Sequence, residues 1–172
     1  MNRRLIALIL MALAFLFSNV SALAGTTAKT GLAQAAASAK KWQADAVVTS
    51  ISTLAADSNG TSDKWSYMFY SPKAKKGYTV DIRGAKLETL EVNPYVTDSI
   101  GNDFVDSDKA MQEAKKNGLK TKDKPAMSLM LMGQATKQPG VYWSVGGGYL
   151  PGDVSIMVEA KTGKFAHRQQ VK

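Results

Sequence analysis

The chain has 172 residues and a formal charge of +8, from 22 Lys and Arg against 14 Asp and Glu. It contains no cysteine, and its one histidine is His167. These counts exclude cysteine-based zinc and iron–sulfur centres, thiol catalysis and disulfide-stapled folds, and they leave any histidine chemistry to a single side chain. The apolar fraction of 45% is ordinary for a folded globular chain.

The first 24 residues have the organisation of an export signal. Arg3 and Arg4 precede an uncharged apolar run over residues 5–17, and Ala22-Leu23-Ala24 ends in the small-x-small pattern of a cleavage site. The apolar run is shorter than the ~20 residues that a membrane-spanning helix needs. We therefore expect residues 1–24 to be a cleaved signal peptide, and a periplasmic or secreted mature protein with no membrane span. Since no cysteine follows the run, lipid attachment is not expected.

The first half of the mature chain has the pattern of one helix followed by several strands. An Ala-rich segment with Lys40 and Lys41 near its end favours a helix, because cations are stabilising at a helix C-terminus. Runs of β-branched and aromatic residues separated by turn residues then predict strands. The helix is predicted over 30–43, and the strands over 46–55, 65–70, 78–83 and 86–92.

The second half repeats this order after a polar connection. Pro94 and several Asp and Gly residues predict a loop over 94–106. A helix is predicted to follow, with Ser107 as its N-cap, Lys115 and Lys116 in its last turn, and Gly118 just after its end. Strands are predicted over 126–134, 141–149, 154–160 and 164–170.

The two halves also correspond in detail. Trp65-Ser66 matches Trp143-Ser144, and the same offset brings Val80-Asp81 onto Val158-Glu159. We therefore predict an α+β protein made of two repeats of a helix packed on an antiparallel β-sheet, with unit 1 over 25–93 and unit 2 over 107–172.

The end of each unit resembles a known family. The segment Val158-Glu159-Ala160-Lys161-Thr162-Gly163-Lys164-Phe165 is similar to the closing strand-turn-strand of the PepSY family, whose cystatin-like domains place a helix on a curved antiparallel sheet. The resemblance is best over 107–170 and weaker over 30–92, where Arg83-Gly84-Ala85-Lys86 replaces the usual turn. It implies a non-catalytic extracytoplasmic module, associated with protease inhibition or sensing.

Few residues suggest catalysis. His167 lies in a predicted strand without a nucleophile or carboxylate at a recognisable spacing, so we interpret it as a strand histidine. The hydrolase alternative would need acidic groups that converge, whereas those near residue 100 lie where Asp favours turns and helix starts. The loop from Asp57 to Asp63 has some character of a calcium site, but a hairpin turn with Asx hydrogen bonds is the favoured interpretation. The acidic residues of the loop and helix start are Asp98, Asp103, Asp106 and Asp108.

The methionines give one metal hypothesis. Thioethers are ligands for Cu(I), and Met130 and Met132 point to the opposite side of their strand from Met127. A copper site using Met130, Met132 and His167 is therefore the alternative to core packing of these side chains.

Binding is the main prediction. We expect Trp65, Tyr67 and Phe69 on the sheet face that the helix covers, and Gly146, Gly147, Gly148 and Tyr149 at a strand edge or bulge that could accept a partner's strand. We expect no cofactor and no nucleic acid, and a protein or peptide of the cell envelope as partner. Two groups of lysines are interpreted as solvated faces, and attraction of an anionic lipid, a cell-wall polymer or an acidic protein is the alternative. These are Lys73, Lys75, Lys76 and Lys109, Lys115, Lys116, Lys120, Lys122, Lys124.

Overall fold

The computed structural model describes residues 25–120, 124–132, 139–147 and 152–170, which form two helices and eight strands. The predicted signal peptide lies outside these residues. The helices are α1 (Ala28–Trp42) and α2 (Ser107–Lys116). The strands are β1 (Val47–Thr53), β2 (Lys64–Ser71), β3 (Lys76–Arg83), β4 (Lys86–Val92), β5 (Ala126–Met132), β6 (Gly140–Gly146), β7 (Val154–Glu159) and β8 (Phe165–Gln170).

All eight strands belong to one antiparallel sheet, in the order β4-β3-β2-β1-β5-β6-β7-β8. Strands β1 and β5 pair at its centre, and β4 and β8 are its edges. The predicted α+β class and antiparallel sheet are confirmed. The prediction of two repeated units stays a prediction, because the strands of both halves join into one continuous sheet.

Both helices pack on the same layer of buried side chains. Helix α1 contacts β1, β2 and β3, and α2 contacts β6 and β7. The aromatic side chains of β2 are almost completely buried there, as predicted, with Trp65 1% and Tyr67 0% exposed. Trp143 of β6 is 0% exposed and meets Trp65 edge to face, with ring centroids 6.3 Å apart. The core therefore continues across the junction of the two halves.

Each buried tryptophan also fixes the start of a helix. The indole Nε1–H of Trp65 donates to the carbonyl of Thr26 at 2.7 Å, two residues before α1 begins. The indole of Trp143 donates to the carbonyl of Val105 at 2.9 Å, two residues before α2 begins. A buried indole N–H needs an acceptor, and the same position before each helix supplies it.

The N-cap of α2 differs from the prediction. Asp106 is the N-cap, and its side chain accepts from the backbone N–H of Ser107 at 2.8 Å. Ser107 is the first helical residue and is completely buried. Its hydroxyl accepts from the backbone N–H of Ala28 at 3.1 Å and donates to the carbonyl of Gly60 at 2.7 Å. Ser107 therefore links the second helix to the first half.

The strand register corrects one correspondence between the halves. Trp65 pairs with Ile82, whereas Trp143 pairs with Val158. Val158 is thus the counterpart of Ile82 and not of Val80, because Trp65 and its partner are 17 positions apart whereas Trp143 and its partner are 15 positions apart. The faces of the strands are unaffected, since a shift of two residues preserves the alternation.

Candidate functional site

The sheet face opposite the helices carries a row of serines. Side chains alternate along a strand, so the neighbours of the buried tryptophans point away from the helices. Register places one such serine opposite the next across four adjacent strands, β2, β1, β5 and β6. We call this set the serine row, and the side of the sheet that bears it the open face. Its members are Ser66, Ser52, Ser128 and Ser144.

A cavity of about 810 Å³ opens where β1 ends and β2 begins. We call it the hydroxyl pocket, since Ser and Thr side chains supply much of its wall together with Lys64, Arg83 and Lys124. A volume of this size falls within the range of small-molecule and peptide sites. The hydroxyl-bearing residues that line the cavity are Ser52, Thr53, Thr61, Ser62 and Ser66.

One of the two acidic residues that line this pocket, Asp57, is already occupied by hydrogen bonds. Asp57 accepts from the backbone N–H groups of Asn59 at 2.8 Å and Thr61 at 2.9 Å, and from the Thr61 hydroxyl at 2.7 Å. Partial burial by itself would raise the pKa of Asp57, but these hydrogen bonds outweigh it and lower the pKa below the ordinary value. The predicted Asx turn is therefore present, and both carboxylate oxygens already serve the loop.

The positively charged residues of the hydroxyl pocket differ in their ion pairs. Lys64 Nζ lies 2.6 Å from a carboxylate oxygen of Asp81 on β3. Burial alone would raise the pKa of Asp81, and the contact with Lys64 helps to hold it below the ordinary value instead. Within the described residues, the side chains of Arg83 and Lys124 form no hydrogen bond or ion pair. These two cations are available to an anionic group of a ligand.

A second cavity, of about 220 Å³, lies on the other side of the junction between β1 and β5. Met130, Met132 and Met157 line it together with small and polar residues of β6 and β7. We call it the methionine pocket. Met157 is only 1% exposed although it lies on the open face, opposite Ser144.

Leu54 separates the two cavities. It directly follows β1, it lines both pockets, and it is 77% exposed. A large apolar side chain at such a position loses solvent contact when a partner covers it, which makes Leu54 a candidate anchor.

The structure places the predicted glycine segment inside the sheet. Strand β6 pairs with β5 on one side and β7 on the other, so Gly146 is not at a sheet edge. Partner binding over residues 146–149 stays a prediction. A Cβ atom at Gly146 would lie 2.3 Å from the carbonyl oxygen of Val154, which explains the glycine as a close backbone approach. Gly146 and Gly147 line the methionine pocket, while Gly148 and Tyr149 lie outside the described residues.

His167 is separated from the methionines of β5. It lies on the edge strand β8 opposite Met157, and its ring meets that of Tyr142 edge to face at 6.2 Å. Three strand spacings of about 4.8 Å put β8 about 14 Å from β5. Met157, and not His167, lines the same cavity as Met130 and Met132. The neighbours of Met157 depend on the pairing of β6 with β7, which alternation along a single strand does not predict.

The acidic residues near residue 100 have structural roles at several positions. Asp106 accepts from the backbone of Lys29 as well as capping α2, and Asp103 lies 3.3 Å from Lys161 Nζ. Across the described parts of the chain, His, Asp and Glu form no group of three that could hold a metal ion. Over the same residues, no helix has the length and apolar character needed to cross a bilayer.

Comparison with known proteins shows the fold alone. The sequence matches none of the protein-family models compared with it, and no curated protein is significantly similar. One solved structure, of a putative lipoprotein from Clostridium difficile 630, superposes with a TM-score of 0.56 at 14% identity. The match covers 86% of this chain and 95% of the other.

Proposed function

We propose that this chain is a non-catalytic binding module of the cell envelope, which engages a protein or peptide segment on its open face. The observation that carries the proposal is the centre of the eight-stranded sheet, where two cavities adjoin at Leu54 and none of the described helices packs on the open face. Monomeric proteins usually cover both faces of such a sheet or make one face evenly polar. Here the two adjoining cavities form a groove with the exposed Leu54 at its centre. Such a groove fits a partner whose side chains form a second layer over the open face.

The PepSY-like organisation belongs to the same proposal. The order of one helix and four strands occurs twice, and both buried tryptophans donate to the carbonyl two residues before a helix. These features support two PepSY-like units that share one sheet. In that arrangement the groove lies at the junction of the units, and modulation of a protease or sensing of a peptide would take place there.

An extracytoplasmic location is supported by two further observations. The N-terminal sequence has a basic start, an apolar run and a small-residue cleavage pattern. The structural neighbour is described as a putative lipoprotein. We therefore place the action of the open face outside the cytoplasm.

The proposal is tested by photo-cross-linking from two surface positions in cells that express the full chain. A benzoyl-phenylalanine replaces Leu54 in one variant and Gln112, exposed on α2, in the matched control. We expect a discrete cross-linked product from position 54 and none from position 112. Mass spectrometry then identifies the partner, which is purified for direct binding measurements with the unmodified protein.

Charge reversal at two residues of the hydroxyl pocket, compared with charge reversal at two lysines outside it, then locates the contact. Arg83→Glu with Lys124→Glu should weaken binding to that purified partner, whereas Lys73→Glu and Lys75→Glu, in the β2–β3 turn, should leave it unchanged. Equal products from positions 54 and 112, or no product from position 54, would contradict the proposed use of the open face.

A further inference from the structure

The segment that precedes α1 lies against the hydroxyl pocket. Thr26 and Ser62 form an antiparallel bridge, in which each backbone N–H donates to the carbonyl of the other residue, at 3.0 and 2.9 Å. The carbonyl of Thr26 also accepts the indole N–H of Trp65. Gly25, one residue earlier, lines the cavity. The chain before α1 is therefore fixed at the wall of this pocket.

Gly25 packs closely on the backbone opposite. A Cβ atom at this position would lie 2.9 Å from the carbonyl carbon of Ser62 and 3.0 Å from the hydroxyl oxygen of Thr61. Ser62 is itself buried, and its hydroxyl is hydrogen-bonded to the hydroxyl of Thr53 and to the carbonyl of Ala55. The surface against which Gly25 rests is thus held in place by its own hydrogen bonds.

Gly25 is also the residue that follows the predicted cleavage site. Signal peptidase would hydrolyse the amide bond between Ala24 and Gly25, with water supplying the hydroxyl group of the new carboxyl and a hydrogen of the new amine. At neutral pH the carboxyl group then loses a proton and the amine gains one. Processing would therefore place an α-ammonium group on a residue that lines the pocket.

The charges on the pocket wall give this ammonium group a role. The lining contains three cationic side chains and two carboxylates, so its net side-chain charge is +1, and a free amino group on Gly25 raises it to +2. Lys64 already contacts Asp81, which leaves two of the cationic side chains for a ligand. The charged residues of the lining are Lys64, Arg83, Lys124, Asp57 and Asp63.

We propose that the α-ammonium group of Gly25 completes the hydroxyl pocket, together with Arg83 and Lys124, as a binding site for an acidic stretch of the partner protein. This proposal rests on the binding function proposed above and names the chemistry of its partner. Three separate cations suit several Asp or Glu side chains better than a single C-terminal carboxylate, and the guanidinium of Arg83 can hold a carboxylate bidentately. Because the ammonium group arises on processing, the site is complete only in the exported form.

The full chain, exported from cells and shown by its mass to begin at Gly25, tests the site after labelling with ¹³C-glycine. The probe is a pentapeptide of alternating Glu and Ser, blocked at both ends. The comparison peptide has Gln in place of Glu and a free C-terminal carboxylate. We expect the Glu peptide to shift the Gly25 signal saturably at neutral pH and low salt. The Gln peptide should bind at least about tenfold more weakly, since charge-assisted hydrogen bonds are roughly twice as strong as neutral ones.

Acetylation of the α-amino group removes the charge of Gly25 from a protein that is already folded. It should weaken binding of the Glu peptide by about threefold or more, as expected for the loss of one exposed ion pair. Arg83→Gln with Lys124→Gln should weaken binding further. Lys73→Gln with Lys75→Gln, outside the pocket, is the matched control and should bind like the unmodified protein.

The pH dependence separates the α-ammonium group from the side-chain cations. A free α-amino group loses its proton at about pH 8, whereas lysine and arginine side chains ordinarily do so above about pH 10. Binding of the Glu peptide should therefore weaken between about pH 7 and pH 9 in the unmodified protein and stay level in the acetylated one.

Several results would overturn the proposal. These are a mature chain that begins at another residue, no saturable shift of the Gly25 signal, equal binding of the two peptides, or full affinity after acetylation. Cross-linking at position 54 tests the open face separately. A cross-linked partner that binds the acetylated protein as tightly as the unmodified one would remove the role of the ammonium group and leave the proposed function in place.

Discussion

The covered faces of the two halves are built alike, whereas their open faces differ. On the covered side, each half places a fully buried tryptophan against the start of its helix and donates the indole N–H to the same relative carbonyl. On the open side, register makes Asp81 the counterpart of Met157, since each pairs with the last serine of the row. A carboxylate that contacts Lys64 in one half is thus replaced by a thioether in the other.

This difference follows from the packing constraints on the two faces of the sheet. The covered face fills a close-packed core, where a change of even one methylene group is felt. No described helix packs on the open face, so its partly exposed side chains are less constrained by packing than those of the core, apart from closely packed positions such as Met157 and Gly146. The comparison therefore separates residues that specify structure from those that are free to specify a ligand.

The largest expected effects test whether the covered faces are equivalent. Trp65→Ala and Trp143→Ala should each lower the free energy of unfolding by about 3–5 kcal/mol, the usual cost of truncating a buried aromatic side chain. Urea denaturation of both variants and the wild type measures this loss in the free energy of unfolding. Trp42→Ala, at a half-buried position stacked on Tyr78, is the control and should cost less. Equal costs at all three positions would remove the special role given to the buried pair.

A smaller effect is expected at a position where the halves differ on the open face. Gly146 is the counterpart of Met68, and it has φ 148° with no room for a Cβ atom beside Val154. Gly146→Ala should therefore destabilise the protein by about 1–3 kcal/mol, the cost of a strained backbone position. Gly101→Ala is the control, since Gly101 also has positive φ but open space around it. A loss at Gly146 no larger than that at Gly101 would show that the close approach to β7 is unimportant.

A further effect of similar size concerns the acid stability of the β1–β2 loop. The pKa of Asp57 is lower in the folded protein than its ordinary value of 3.8, so its ionised form contributes stability that is present above the unfolded pKa and lost as the pH falls through the folded pKa. Asp57→Ala should cost about 1–3 kcal/mol at pH 7. The difference from wild type should shrink below about pH 4, where carboxylates protonate.

Denaturation at a series of pH values, with the exposed Asp98→Ala as control, measures this change. A difference from wild type that stays constant down to acid pH would be inconsistent with a hydrogen-bonded carboxylate at Asp57.

The positions of the elements could be predicted because the signals are local. The helix ends, the alternation of β2 and the Asx turn at Asp57 all depend on residues a few positions apart. The pairing of β1 with β5 could not be predicted, since strand neighbours and register depend on contacts between residues far apart in the sequence. The same limit explains why Met157 was not recognised as the third methionine of the pocket.

The N-cap of α2 shows a second kind of limit. Asp106 and Ser107 are both favourable capping residues, and propensity alone does not choose between adjacent candidates. Tertiary contact decides, because the buried hydroxyl of Ser107 has partners on Ala28 and Gly60. A residue that resembles a local signal in the sequence therefore serves in the structure as a connection between distant segments.

The central pairing of β1 with β5 has a consequence for biogenesis. The first half is synthesised before β5, so the backbone donors and acceptors along one side of β1 have no strand to pair with during that interval. An unpaired strand edge is a template for association with other chains. A nascent or truncated first half is thus a species at risk of aggregation, and a chaperone that shields β1 until the second half arrives would raise the yield of the folded protein.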